Sequence, residues 1–131
     1  MYSYITYSVN TLYNETVKTP KVALIHDYLT QYGGAERVLE AFCEIYPDAP
    51  IYTGICDEKK LPKKLKGKKI IAPHSTNKTF LKFPMLSKYF TFLMPIMFEE
   101  IDLTEFDIVI SNSSSYAKGV ITKPNQLHIS Y

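Results

Sequence analysis

Two cysteines stand among 131 residues, Cys43 on one side of an amphipathic stretch and Cys56 at the end of an apolar run. They are too few for a disulfide framework and lack the neighbours that a metal-ligand cluster needs, so no metal is expected and a reduced, cytosolic compartment fits best. Charge of one sign is also scarce. Fifteen Lys and Arg against thirteen Asp and Glu leave a net charge of +2, which gives no footprint of a nucleic-acid partner. No uncharged run reaches the roughly 18 residues of a spanning helix, and no charged-then-apolar leader opens the chain. Repeats and low-complexity segments are absent. No Gly-x-Ser-x-Gly elbow occurs, which argues against a serine nucleophile, and no acidic pair follows the first apolar run, which weakens a receiver-type signalling domain. What remains, 46% hydrophobic and 21% charged, is about one globular domain with enough chain for a real core.

The stretch Lys21 to Phe42, KVALIHDYLTQYGGAERVLEAF, organises the rest. Val22 to Ile25 is a short apolar run that suits a strand buried on both faces. A polar turn, His26 to Tyr32, leads into Gly33-Gly34, after which Val38, Leu39, Phe42, Cys43 and Tyr46 recur on one helix face. The pattern is strand, glycine turn, helix. Two glycines allow positive φ and leave no side chain between the first free helix amides and a ligand, and those amides with the helix dipole favour an anion such as phosphate. The plainer reading is a tight turn, with Gly33 as N-cap and Glu36 completing a capping-box-like arrangement.

Residues 1–20 show no sustained period and read as a loose extension or one added edge element, closed by Pro20. After the first helix, Tyr46 to Pro50 stops the chain turning, because proline cannot continue a helix. Ile51 to Cys56 is the second predicted strand, and Ile70 to Ala72 the third. Between them lie seven lysines, from Lys59 to Lys69. His74 to Glu100 is apolar and aromatic and predicts two or three short helices broken near Pro84 and Pro95. Phe106 to Ser111 is the clearest later strand, and it runs into Asn112-Ser113-Ser114-Ser115. Tyr116 to Val120 fits one helical turn, and Leu127 to Tyr131 a last strand.

Strands alternating with helical segments imply βαβ units and an α/β fold with a Rossmann-like, doubly wound parallel sheet. Ligands of such sheets bind beyond the carboxyl ends of the strands, where His26-Asp27 and Ser111 to Ser115 should converge. His26-Asp27 suits orientation of an acceptor hydroxyl or acid-base chemistry, or else Asp27 caps the turn. Ser113, Ser114 and Lys118 offer hydroxyls and a cation to sugar or phosphate oxygens, or else form a helix cap and a solvated lysine. Glu36, Glu40 and Glu44, spaced by four, read as a wet face. The lysine run is a solvated loop or, with the aromatic segment Phe80 to Phe98, a peripheral attachment to the inner face of a membrane. The competing expectation is that Phe80 to Phe98 packs on the sheet or on another domain.

Three blocks in order, VALIHDYLTQYGGAERVLEAFCEIYPDAPIYT, FDIVISNSSSYAKGV and NQLHISY, resemble the amino-terminal domain of family-4 glycosyltransferases, the retaining enzymes of GT-B architecture. The resemblance covers residues 21–131. It implies the acceptor-side half of a two-domain enzyme that moves a sugar from a nucleotide sugar to a glycan or lipid-linked acceptor in polysaccharide or glycolipid synthesis. No cofactor besides that co-substrate is implied. It also implies that Gly33 and Gly34 face the donor phosphates. The family's histidine loop and its carboxyl-terminal donor domain would follow Tyr131, so a truncated chain, inactive alone, is expected. The alternative is a stand-alone, non-catalytic module that binds a phosphorylated ligand or a separate donor-domain chain.

Overall fold

The computed structural model describes residues 18–83, 85 and 87–131. Residues 1–17, most of the anticipated extension, lie outside this set, and Lys18–Pro20 carry no regular structure. Five strands form one all-parallel sheet: β1 (Val22–Leu29), β2 (Ile51–Cys56), β3 (Ile70–Ile71), β4 (Ile108–Asn112) and β5 (Leu127–Ser130). Their spatial order is β3-β2-β1-β4-β5. Among the described residues three α-helices accompany them: α1 (Gly34–Ile45), α2 (His74–Lys82) and α3 (Ser87–Glu99). This is the α/β, Rossmann-like fold. The first two crossovers run outward from β1 on one side, and the chain then returns to place β4 on the other. The strand order thus reverses between β1 and β4, and crevices for ligands open at such a reversal.

Both faces of the sheet carry a core, which is why β1 reads as a continuous apolar run. Val22, Leu24, Leu29, Ile51 and Ile110 pack with Leu39 and Cys43 of α1. Ala23, Ile25, Ile55 and Val109 pack with Met94 and Phe98 of α3, and with Ala117 and Val120 beyond β4. Strict alternation would put Tyr28 with Leu24 and Leu29 with Ala23, yet each joins the opposite group. The side-chain phase of β1 therefore slips by one near Asp27. Gly54, on the neighbouring strand, sits beside this slip. A Cβ there would lie 2.7 Å from Met94 Sδ and 3.1 Å from the Asp27 carbonyl oxygen, so glycine is what lets α3 approach so closely.

Three expectations need correction. β1 does not end at Ile25 but runs through Leu29, so His26 and Asp27 are strand residues, both buried, and not a turn. The strand tolerates them because every polar atom they carry finds a partner. Pro95 lies inside α3 and does not break it; Met94 and Phe98, one turn apart and buried, hold the helix to the sheet on either side of the proline. Glu36 and Glu40 are buried, and only Glu44 is wet, where it pairs with Lys64 at 2.7 Å. Glu40 instead accepts from the Tyr32 hydroxyl at 3.1 Å. A helix break does fall between α2 and α3, around Pro84, which itself lies outside the described residues. Among the described residues, no helix is long and apolar enough to cross a membrane.

Candidate functional site

The turn after β1 and the loop after β4 meet at the carboxyl rim of the sheet. β1 and β4 pair so that His26 lies opposite Asn112, and the residues that follow are stitched together by side chains. The Asp27 carboxylate is the centre of the stitching. Its Oδ1 accepts from Ser113 Oγ at 2.9 Å, Tyr116 N at 2.8 Å and Ala117 N at 2.6 Å. Its Oδ2 accepts from Ser114 N and Ser115 N, both at 2.9 Å, and from Ser114 Oγ at 3.1 Å. Burial pushes this carboxyl group's pKa up, but the amides of Ala117 and Tyr116, the Ser113 hydroxyl and the Ser115 amide together outweigh that and hold it below the usual 3.8. Four consecutive backbone amides converging on one carboxylate form an anion nest, occupied here by the chain's own side chain. Asp27 therefore acts in this structure as the cap of the Ser loop, with its lone pairs engaged.

His26 and Glu36 form a second knot on the other face of β1. Their side chains are 2% and 4% exposed. His26 Nδ1 lies 3.1 Å from the Asn112 carbonyl oxygen, and Nε2 lies 3.3 Å from Glu36 Oε1. Glu36 Oε2 accepts from the Gly33 amide at 2.6 Å, the carboxylate half of a capping box whose glycine N-cap has no side chain to return the bond. Asn112 Nδ2 donates to the Ala35 carbonyl at 2.6 Å, which ties the end of β4 to the first turn of α1. The chain Asn112, His26, Glu36, Gly33 thus fixes the glycine turn against both central strands. Glu36 was visible in the sequence as a capping residue, whereas nothing local in the sequence marks Asn112 as its anchor.

The two glycines differ. A side chain at Gly33 would meet Glu36 Oε2 at 3.3 Å, whereas one at Gly34 would meet nothing within 4 Å. Space is open in front of Gly34, at the start of a twelve-residue helix. The amides of Gly34 and Ala35 head that helix and have no acceptor among the described residues, the condition under which a helix N-terminus attracts an anion. Lys118 stands exposed in the short 3-10 turn Ala117–Gly119 that Asp27 organises, with no carboxylate partner among the described residues. Ser113 and Ser114 reach the rim, but both hydroxyls point at Asp27. Away from this region, Ser111 Oγ lies 2.9 Å from His128 Nε2, and burial holds the pKa of that imidazole below 6.5.

The predicted residues thus divide into supports and exposed groups. Asp27, Ser113 and Ser114 bind one another and the backbone, and His26 binds Glu36 and the Asn112 carbonyl, while the Gly34 turn and Lys118 present free donors. A largely apolar cavity of about 190 Å³ opens on the α3 side of the sheet, lined by Tyr28, Thr30, Ile55, Phe80, Met94 and Tyr116 among others. No protein-family model, no curated protein and no solved structure matches the chain.

Proposed function

We propose that this chain is the acceptor-side, Rossmann-like half of a retaining glycosyltransferase, working with a donor domain to move a sugar from a nucleotide sugar to a glycan or lipid-linked acceptor. The observation that carries the reading is the open space at Gly34 in the crevice where the strand order reverses, with free helix amides behind it. A diphosphate leaving group there would meet the Gly34 and Ala35 amides. Donors placed in advance where charge develops are the largest single source of rate enhancement in group transfer. The knot of Asn112, His26 and Glu36 holds those amides in place, so its role is positioning. The resemblance of residues 21–131 to family-4 enzymes points the same way, and the aromatic and hydroxyl lining of the cavity on the α3 side suits an acceptor.

The test is a screen of nucleotide sugars with the full-length protein, reading release of nucleoside diphosphate. Gly34→Val is then expected to lower turnover by about 100-fold, the usual scale for losing a preset charge-stabilising contact. The unfolding midpoint should stay put, because the new side chain enters empty space. Unchanged turnover would make the turn purely architectural. A second reading, a non-catalytic module for a phosphorylated ligand, is favoured by the way Asp27 and the Ser113 and Ser114 hydroxyls are consumed internally. Binding of a nucleoside diphosphate without any sugar transfer would select it.

A further inference from the structure

A larger cavity, of about 440 Å³, opens at the carboxyl ends of β2 and β3. Cys56 is the last residue of β2 and Ala72 follows β3, so this is the rim where parallel sheets take ligands. The floor is apolar. Leu61, Ile70 and Ala72 form it and rest on the core beneath α1, on the opposite face of the sheet from α3. Glu58, Lys66 and Asn77 add polar groups to the lining. Asn77 Oδ1 accepts from the Cys56 amide at 2.8 Å, which fixes that side chain to the end of β2. Its Nδ2 group has no acceptor among the described residues, and no buried side-chain nitrogen or oxygen among them lacks a partner, so this donor reaches solvent.

The loop that borders the cavity is cationic, with seven lysines between positions 59 and 69. Lys60 pairs with Asp57 at 3.8 Å, Lys64 pairs with Glu44 at 2.7 Å, and Lys68 Nζ donates to the Pro47 carbonyl oxygen at 2.9 Å. Lys59, Lys63, Lys66 and Lys69 are exposed and have no carboxylate partner among the described residues. Unopposed ammonium groups around a concave site raise the local concentration of anions. Shape narrows the occupant further. A cavity of this size suits a small molecule, whereas a lipid film or the face of another protein would meet only its rim. Inorganic phosphate alone would leave the apolar floor uncovered and would be repelled by Glu58. We propose that the cavity is a binding site for a sugar unit bearing an anionic group, a carboxylate or a phosphate. The C–H face of its ring covers Leu61, Ile70 and Ala72, its hydroxyls donate to Glu58 and accept from Asn77, and its anionic group meets Lys66. The site requires no sugar transfer, so it stands or falls separately from the catalytic reading.

Titration of the isotope-labelled full chain, followed by NMR, decides it. Glucuronate and glucose-6-phosphate should each shift the side-chain NH2 signals of Asn77 and the backbone amide of Gly67, which also lines the cavity. At least one of them should bind about tenfold or more tightly than glucose, the scale of a charge-assisted hydrogen bond. The tighter of the two then names carboxylate or phosphate as the anionic group. Lys66→Gln, at an exposed position, should keep the fold and bring that affinity down to the level of glucose. Asn77→Asp keeps an acceptor for the Cys56 amide but removes the donor, and should weaken binding by about tenfold or more. No saturable shift with either anionic sugar overturns the proposal, and so does unchanged affinity in Lys66→Gln. Inorganic phosphate that binds as tightly as the preferred sugar would reduce the site to charge attraction and overturn it. Poly-glutamate that saturates the same signals more tightly than either sugar would assign the lysines to an acidic protein surface and likewise overturn it.

Discussion

Asp27→Ala is expected to lower the free energy of unfolding by about 4 kcal/mol, read as a fall in the urea midpoint at unchanged slope. The carboxylate accepts six hydrogen bonds, four from backbone amides and two from serine hydroxyls. A hydrogen bond to a charged group contributes about 1.5–3 kcal/mol, but six on one group are not additive. The larger part of the cost is what stays behind: four amides, that of Ala117 buried, left without an acceptor. Asp27→Asn keeps the shape but trades an acceptor oxygen for a donor, and should fall between the two. The same carboxylate links stability to pH. Its folded pKa lies below the ordinary 3.8, so the unfolded chain takes up a proton first as pH falls. The contribution is fully present above about pH 4 and is lost as pH drops through the folded value. In the Ala variant the acid limb of the stability curve should flatten.

Phe98→Ala is expected to cost about 3–5 kcal/mol, the usual range for deleting a fully buried aromatic ring. Phe98 has no exposed surface and, with Met94, is the inward anchor of α3. Losing it removes the contact that keeps α3 helical through Pro95, so far-UV ellipticity should fall before the sheet unfolds. Phe92 on the same helix offers the contrast. It is 82% exposed, and its replacement by serine should change stability by no more than about 0.5 kcal/mol. Equal costs at the two positions would mean that the outward face is packed in solution.

The sheet was readable from the sequence because its period and punctuation are local. Ile51 to Cys56 matched β2 at both ends, and the run before the serine cluster matched β4 to within two residues at its start. What failed was long-range. His26 and Asp27 look like a turn because polar residues follow an apolar run, and only partners up to 90 positions away make them strand residues. Glu36 and Glu40 look like a wet face by spacing, yet a buried imidazole and a tyrosine hydroxyl reclaim them. Pro95 breaks a helix on propensity, and tertiary burial of Met94 and Phe98 overrides it. At the site, the glycine turn and the Ser loop were recognisable as candidates. Which of their groups face outward and which serve as internal fasteners depends on pairing between β1 and β4, and no local pattern encodes that.

Both thiols sit in the core, and burial pushes Cys43 up and Cys56 to about 11. At neutral pH neither supplies appreciable thiolate, so alkylating reagents should leave the folded chain untouched. A single cysteine introduced at Gly34 or Ile96 would then carry a spin or fluorescent label without competition from the native pair, and the glycine turn and the outer face of α3 can each be interrogated by site-selective chemistry on an otherwise unaltered chain.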